Sequence, residues 1–165
     1  MGVMRNHFKY FIMSLLLTSC VSVELPGNKM TSAKGVEFQD PGGSYDSIKA
    51  KNADKTWQSK KSGNTISYLS ECGNTADPSL QSIESDSLSA LSNLEILKTE
   101  TTTFNGRGAR QTIAAGTVDG VPVALALLVF KKNGCNYTLS YGGLEKQFNS
   151  ELSIFEDFKK NFKAP

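Results

Sequence analysis

The residues that could carry chemistry in this 165-residue sequence are three cysteines and one histidine. Cys20 directly follows a run of leucines, whereas Cys72 and Cys135 lie far along the chain. A cysteine can be buried in a core, pair with a second thiol or carry a covalent attachment. The histidine, His7, lies near the amino terminus. The chemistry open to this protein therefore depends on whether its first residues are retained.

Residues 1–19 have the composition of a secretory signal peptide. Arg5 and Lys9 give a positive start, and an apolar run from Tyr10 to Leu17 precedes the small residues Thr18 and Ser19. Signal peptides combine a charged start, ~7–15 apolar residues and small residues before the cleavage site. The run is too short for a bilayer span, which needs ~20 apolar residues. A buried N-terminal helix is the alternative, but no capping residue or amphipathic spacing supports it.

The tetrapeptide Leu17-Thr18-Ser19-Cys20 resembles the lipobox of bacterial lipoproteins, in which an aliphatic residue and two small residues precede a cysteine. The resemblance implies cleavage before Cys20, diacylglycerol on its sulfur and acylation of its new amino group. Two or three acyl chains hold a protein at a membrane, whereas one binds only reversibly. We therefore expect lipidation at Cys20 and attachment to the membrane through this N-terminal anchor. Val21 follows Cys20 in place of Asp, which in the lipoproteins it resembles favours the outer membrane, with the protein facing the periplasm.

Removal of residues 1–19 changes the charge and the available chemistry. The whole chain has 18 basic and 16 acidic residues, and loss of Arg5 and Lys9 leaves 18 − 2 = 16 of each sign. A neutral surface gives no long-range attraction for DNA or RNA, so nucleic acid is not an expected partner. Loss of His7 excludes Ser-His-Asp and Cys-His mechanisms and imidazole zinc sites. We expect no catalytic residue, cofactor or metal, although scattered acids leave carboxylate-pair hydrolysis formally open.

With Cys20 taken by lipid, Cys72 and Cys135 remain as a pair. In the oxidising compartment that a signal peptide implies, such a pair normally forms a disulfide. The bridge would close a loop of about sixty residues and, by chain entropy, stabilise the fold by roughly 4 kcal/mol. Two separate buried thiols are the alternative.

The remaining 165 − 19 = 146 residues fit one domain. Residues 20–34, with Pro26, Gly27 and Ser32 and little periodicity, predict a flexible tether, and residues 35–165 a single globular domain. Residues 57–72 predict a β-hairpin, because apolar residues alternate after a turn at residues 61–64.

Asp77-Pro78 predicts the start of a helix, with Asp as the cap and Pro at the first helical position. Five apolar residues follow at helical spacing: Leu80, Ile83, Leu88, Leu91 and Leu94.

Three Asx-Gly dipeptides, each fourteen residues after the last, predict a four-stranded antiparallel meander: Asn105-Gly106, Asp119-Gly120 and Asn133-Gly134. Both central residues of a type I′ turn need positive φ, which Asn, Asp and Gly tolerate best. The segment from Val121 to Phe130 is apolar at nearly every position, which predicts a strand covered on both faces.

The C-terminal segment predicts an amphipathic helix capped by Asn149 or Ser150. Its apolar stripe consists of Phe148, Leu152, Phe155, Phe158 and Phe162. Such a stripe most often packs on a sheet.

The predicted class is therefore α+β: an antiparallel sheet, formed by a hairpin and a four-stranded meander, with helices packed on both faces. This order resembles the PsbP-like superfamily of α/β/α sandwiches over roughly residues 57–162. The resemblance rests on the segments FNGRGAR, DGVPVALALLVFKKNGCNYTLSY and FNSELSIFEDFKKNF. It implies a role in binding or assembly rather than catalysis, and it transfers no functional residue.

Three functions follow from the sequence. The first is a non-catalytic envelope lipoprotein that binds an envelope protein or supports assembly at the membrane. The second is a carrier or sensor of a small ligand, with Tyr137 and Tyr141 beside a pocket on an uncovered face of the sheet. The third is an enzyme, which would need two facing acids with raised pKa values or a bound cofactor.

Overall fold

A computed structural model describes residues 30–73 and 76–165. The predicted signal peptide, the lipobox and Cys20 lie outside the described residues. In the part that is described, no helix is long and apolar enough to cross a membrane.

Seven strands form one antiparallel sheet in the order β1-β2-β3-β7-β6-β5-β4. The strands are β1 (Tyr45–Ile48), β2 (Lys55–Ser59), β3 (Thr65–Cys72), β4 (Ser92–Phe104), β5 (Arg107–Val118), β6 (Val121–Lys132) and β7 (Cys135–Leu144). The helices are α1 (Leu80–Leu88), α2 (Glu145–Phe148) and α3 (Leu152–Asn161). The predicted hairpin and meander are both present, and β3 pairs with β7 to join them.

The turns of the meander are the predicted Asx-Gly pairs. Asn105, Asp119 and Asn133 have φ between 49° and 51°, and the glycine after each has φ between 73° and 78°. Both central residues of each turn therefore have positive φ, as a type I′ turn requires. These turns fix the antiparallel order from β4 to β7.

Strand β6 is buried along most of its length, as its composition predicts. Successive side chains of a strand point to opposite faces. Ala124, Ala126, Leu128 and Phe130 belong to the main core, on what we call the α3 face of the sheet. Leu127 belongs to a second cluster on the opposite side, the α1 face, with Leu88, Leu91 and Ala114.

The aromatic stripe of the C-terminal segment packs into the core on the α3 face. Phe148, Phe155, Phe158 and Phe162 are all buried there. Their ring neighbours include Trp57, Tyr68, Tyr137 and Tyr141, with centroids 5.2–6.3 Å apart. Burial of each large apolar side chain contributes roughly 1.5–3 kcal/mol, so this stripe closes the domain.

The C-terminal helix is divided into two, contrary to the single helix that the spacing predicts. Phe148 ends α2, and α3 begins at Leu152. Neither Asn149 nor Ser150 caps α3. The cap position is Glu151, which makes no capping hydrogen bond because its carboxylate is used elsewhere in the fold.

Helix α1 is shorter than its apolar spacing predicts. Its cap is Ser79, whose hydroxyl accepts a hydrogen bond from the Ser82 amide, and not Asp77, which has a φ of 43°. Leu94 lies beyond the helix, in β4. At nine residues, α1 packs mainly on β5 and β6. The fold is thus mostly an antiparallel sheet with a few helices. It does not establish the predicted sandwich, in which helices cover both faces of the sheet.

The N-terminal part of the described chain is attached to the end of β3. Thr31 and Cys72 exchange two backbone hydrogen bonds, of 3.2 and 2.8 Å. The Ala33 amide donates to the Ser70 hydroxyl at 2.8 Å. Residues that the sequence assigned to the tether therefore already contact the sheet.

Cys72 and Cys135 lie opposite each other in β3 and β7 and form the expected disulfide, with their Cα atoms 4.1 Å apart. The bridge joins the two parts of the sheet at the point where the chain enters it.

We predict that the C72S/C135S variant loses about 4 kcal/mol of unfolding free energy, because the bridge closes a loop with a sequence separation of 63. Urea titration under oxidising conditions measures this loss. The same titration with a reductant is the control: it should lower the stability of the parent protein to that of the variant, and leave the variant unchanged.

We also predict that G143A destabilises the domain by about 1–3 kcal/mol, because an added methyl overpacks a buried site. A Cβ atom at Gly143 would lie 1.9 Å from Oδ1 and 3.2 Å from Cα of Asn64, which is fully buried. G108A is the matched control, since no atom lies within 4 Å of a Cβ there. Equal midpoints for the two variants in thermal unfolding would contradict the prediction.

Candidate binding surface

Strand β4 is an edge of the sheet, and its outer side has no partner strand in the described part of the chain. All of its thirteen residues are exposed except Phe104, which is half-buried. An edge strand presents a row of unpaired N–H and C=O groups to any extended segment that approaches it. We call the outer side of Ser92–Phe104 the β4 edge.

Two bulges shape the first half of β4. The register with β5 shifts between Ser92 and Glu95, and again between Ile96 and Lys98. Ile96 is opposite Ala114 on the α1 face, whereas Lys98 is opposite Ile113, whose side chain packs on the α3 face. Leu97 is the extra residue between them, and 54% of its surface is exposed. The bulge therefore exposes adjacent aliphatic residues, where a regular strand would alternate.

A groove on the α3 face runs between β4 and the two C-terminal helices. Its walls are Leu97, Ile113, Ala124, Glu145, Lys146, Phe148, Asn149 and Leu152, and its volume is about 510 Å³. A second cavity of about 510 Å³, lined by Val121, Pro122 and Leu144, shares Glu145 and Lys146 with the first. We call the two cavities together the α2 groove. The groove and the β4 edge form one surface, because Leu97 belongs to both.

A buried carboxylate fixes the corner between α2 and α3, and hence one wall of the α2 groove. Glu151 is only 5% exposed. Its Oε1 atom accepts hydrogen bonds from the hydroxyls of Ser44 at 2.9 Å and Ser59 at 3.0 Å. Its Oε2 atom accepts from Ser62 and, at 3.4 Å, from Tyr45. The corner is thereby tied to β1, β2 and the turn that follows β2.

These hydrogen bonds decide the charge state of Glu151. Burial alone would raise the pKa of this carboxyl, but the hydroxyls of Ser62, Ser44, Ser59 and Tyr45 outweigh burial and hold the pKa below its ordinary value. Glu151 is therefore an ionised acceptor at neutral pH. Burial, followed by the charge of Glu151, raises the pKa of Tyr141 to about 12, so its hydroxyl remains a neutral donor to the Phe148 carbonyl at 2.6 Å.

A second buried carboxylate holds α1 on the sheet. Glu84 accepts hydrogen bonds from the Arg110 guanidinium and the Thr112 hydroxyl, both on β5. Thr112 in turn shares a 3.1 Å hydrogen bond with Thr99 of β4. Arg110, near the start of β5, thus belongs to a half-buried ion pair.

The sequence places Tyr137 and Tyr141 beside a pocket, but the structure buries both completely. Tyr141 stacks with Phe155, and Tyr137 stacks with Phe130 at 4.8 Å. The aromatic stripe of the C-terminal helices packs against both tyrosines. Within residues 30–73 and 76–165, no three His, Cys, Asp or Glu side chains come together as a metal site would require.

The sequence did not identify the exposed aliphatic residues of β4. The sequence places Leu94 both in the stripe of α1 and at the start of a strand-like run from Leu94 to Phe104, but nothing in it shows which strand of a meander becomes its edge. The adjacent pair Ile96-Leu97 is the one available signal, because it breaks the alternation of a strand that is apolar on one face.

In comparisons with known proteins, no family model and no curated protein matches this chain. Its structure is similar to that of the cyanobacterial PsbP protein CyanoP from Synechocystis sp. PCC 6803. The TM-score is 0.57 and the identity 13%, over 90% of this chain and 99% of that chain. It is also similar to LpqN of Mycobacterium tuberculosis, a protein described as involved in cell envelope biogenesis. Here the TM-score is 0.58 and the identity 13%, over 85% of this chain and 88% of that chain. At such identities the likeness shows the fold alone, and a distant PsbP-like fold is confirmed.

We predict that Glu151 makes stability depend on pH in the acid range. Since its pKa is lower in the folded than in the unfolded chain, its contribution is complete above about pH 4.3 and is lost as the pH falls through the folded value. E151Q should lose about 2 kcal/mol at pH 7, because buried hydroxyls lose a charged acceptor, and should show a smaller further loss in acid. Urea titrations between pH 7 and pH 3 measure both effects.

The matched control is E145Q, which removes an exposed glutamate from the neighbouring helix without removing a buried acceptor. It should retain both the stability of the parent protein at pH 7 and the acid loss. Parallel pH profiles for E151Q and the parent protein would show that Glu151 is not the group responsible.

Proposed function

We propose that this protein is a non-catalytic bacterial lipoprotein, anchored in the cell envelope through Cys20, whose domain binds a protein partner. The observation that carries the proposal is the β4 edge, a thirteen-residue exposed strand with the apolar α2 groove beside it. The partner would be an envelope protein with an extended segment, and the binding role that the PsbP-like resemblance implies agrees with this.

The chemistry of the β4 edge suits β-strand addition. In this mode an incoming strand satisfies the free backbone groups of the edge, and its alternate side chains fill adjoining pockets. Leu94, Ile96 and Leu97 are between 45% and 54% exposed, an apolar surface that water solvates poorly. An aliphatic side chain of the partner would enter the α2 groove next to Leu97.

The envelope location rests on several separate supports. The signal peptide and lipobox of residues 1–20 predict export and lipidation, and Val21 favours the outer membrane. A disulfide such as that between Cys72 and Cys135 forms and persists in an oxidising compartment. LpqN, which is involved in cell envelope biogenesis, has a similar fold, which is compatible with an envelope module.

A small-ligand carrier is the second candidate, and the dimensions of the α2 groove favour it. Each of its two cavities, at about 510 Å³, is within the range of small-molecule sites. Aliphatic walls and one charge of each sign, on Glu145 and Lys146, would suit an apolar ligand with a polar end. Unlike the protein partner, such a ligand would leave the backbone of the β4 edge unpaired.

We predict that a photocrosslinking amino acid at Leu97 forms a covalent adduct with one envelope protein in intact cells. The same amino acid at Lys55, an exposed residue of β2 at the other side of the sheet, should not form it. The L94D substitution should reduce the Leu97 adduct at least tenfold, because a carboxylate on the edge is buried without a partner. Its unfolding free energy should change by less than about 0.5 kcal/mol, since Leu94 is exposed.

Adducts of equal yield from both positions, or an adduct that L94D leaves unchanged, would contradict binding at the β4 edge. Co-purification of a small molecule in the α2 groove, with no protein adduct, would favour the carrier instead.

A further inference from the structure

The chain enters the domain at one end of the sheet. Thr31 is hydrogen-bonded to Cys72 at the end of β3, and the disulfide continues to Cys135 at the start of β7. The turns at Asn105-Gly106 and Asn133-Gly134 lie at the same end. The first joins the end of β4 to the start of β5, and the second joins the end of β6 to the start of β7. We call this the tether end. The Asp119-Gly120 turn and α2 lie at the opposite end, which we call the far end.

Basic side chains gather at the tether end. A shallow cavity of about 270 Å³ is lined there by Asp77, Arg107, Lys131, Lys132, Asn133, Gly134, Cys135 and Asn136. Lys131 pairs with Asp77, and the Lys132 ammonium donates to the Ala164 carbonyl at 2.7 Å. Arg107 forms no hydrogen bond or ion pair within the described residues, and it is exposed. The cavity thus has three cations around one carboxylate, and its guanidinium has no partner among the residues that the structure describes.

Other charges near the tether end do not cancel this excess. Lys163 is bridged to Glu37 through the backbone, so one charge of each sign is added there. The Asp54 carboxylate accepts hydrogen bonds from Ser32 and Ser70 near this end, and Lys55 follows it at the start of β2, so this pair also adds one charge of each sign. Glu71, which lies opposite Asn136, is a further carboxylate and reduces the excess by one charge. The far end has no such excess, since Asp119 and Glu145 lie there with Lys61 and Lys146. The basic excess of the domain therefore lies at the tether end.

We propose that the tether end faces the membrane, and that Arg107, Lys131 and Lys132 bind the phosphate groups of anionic phospholipids. The proposal rests on the proposed function, because the acyl chains on Cys20 bring the domain to the lipid surface. It gives the anchored domain one orientation. The α2 groove, and the part of the β4 edge around Leu94, then point away from the membrane towards the periplasm.

Chain length alone does not impose this orientation. Eleven peptide units separate Cys20 from Thr31, since 31 − 20 = 11, and they span at most about 40 Å. The twelve residues of β6 also extend about 40 Å. The domain could therefore turn either end towards the lipid. Each basic side chain that lies within a Debye length of an anionic surface increases the equilibrium constant for binding to that surface by roughly fivefold. The charges at the tether end therefore select the orientation.

Full-length acylated protein, reconstituted into vesicles, tests the orientation. A fluorescent amino acid is placed at Thr103, near the tether end of β4, or at Lys146, at the far end; both positions are exposed. Lipids with a quencher on the headgroup report which position is closer to the surface. In vesicles of phosphatidylglycerol and phosphatidylcholine we expect severalfold stronger quenching at Thr103. In phosphatidylcholine alone, or at high salt, the two positions should become equal.

The R107Q/K132Q variant should remove most of the difference, and R107K/K132R should restore it. K61Q/K146Q is the matched control for the Thr103 fluorophore, because it removes two exposed lysines outside the tether end and should leave the quenching unchanged. Equal quenching at both positions in the parent protein, or an equal effect of both Gln variants, would overturn the proposal. So would saturable binding of inorganic phosphate at Arg107 that competes with the vesicles at constant ionic strength, because it would identify a free anion as the ligand.

Intact mass of the same preparation separates this proposal from the proposed function. A mass without acyl chains on Cys20 overturns both. Acyl chains together with equal quenching leave the anchor in place and overturn only the orientation.

Discussion

The rest of this fold depends on the burial of β6 from both sides. Leu128 and Phe130 belong to the main core together with Phe155 and Phe158 of α3 on one face, and Leu127 belongs to the second cluster together with Leu88 of α1 on the other. A strand covered in this way must lie inside the sheet, with a partner along each edge. Because β5 and β7 are joined to it by two-residue turns, they take those places. The strand before β5 is then displaced outwards to the edge.

The binding surface is a consequence of that order. Strand β4 has β5 on one side, and the helices pack towards the middle of the sheet, so its outer side stays open. Glu151 also shapes this binding surface, although it does not line the groove. By holding the corner between α2 and α3 against three serines and a tyrosine, it fixes the wall that faces Leu97. The groove is therefore shaped by a buried charge that does not touch it.

Local rules of the sequence predicted much of the sheet. Asn105, Asp119 and Asn133 signal their turns, because few other residues tolerate positive φ before a glycine. Phe155 and Phe158 signal a buried helical face by their spacing, and Phe162, just after the helix, is buried with them. The Cys72–Cys135 pair follows from the count of cysteines, on the expectation that Cys20 carries lipid. In each case residues close in sequence, or a simple count, decide the outcome.

What the sequence did not predict depends on residues that are distant in the chain. Glu151 divides the last helix because of Ser44, Ser59 and Ser62, about ninety or more positions earlier. Arg110 is drawn into an ion pair by Glu84, and the short strand β1 exists only because β2 pairs with it. The exposure of Leu97 follows from a bulge and from the edge position of its strand. None of these partners is indicated by spacing or composition.

The two backbone hydrogen bonds between Thr31 and Cys72 also decide how the domain bears mechanical load. In the lipoprotein that we propose, a pull from the lipid on Cys20 reaches Thr31 and passes directly into Cys72. There the sulfur–sulfur bond shares the tension with β7, a strand in the middle of the sheet. The force therefore acts on a covalent link at the centre of the sheet and not on an outer strand. The domain can bear this load without unfolding from its N-terminal side.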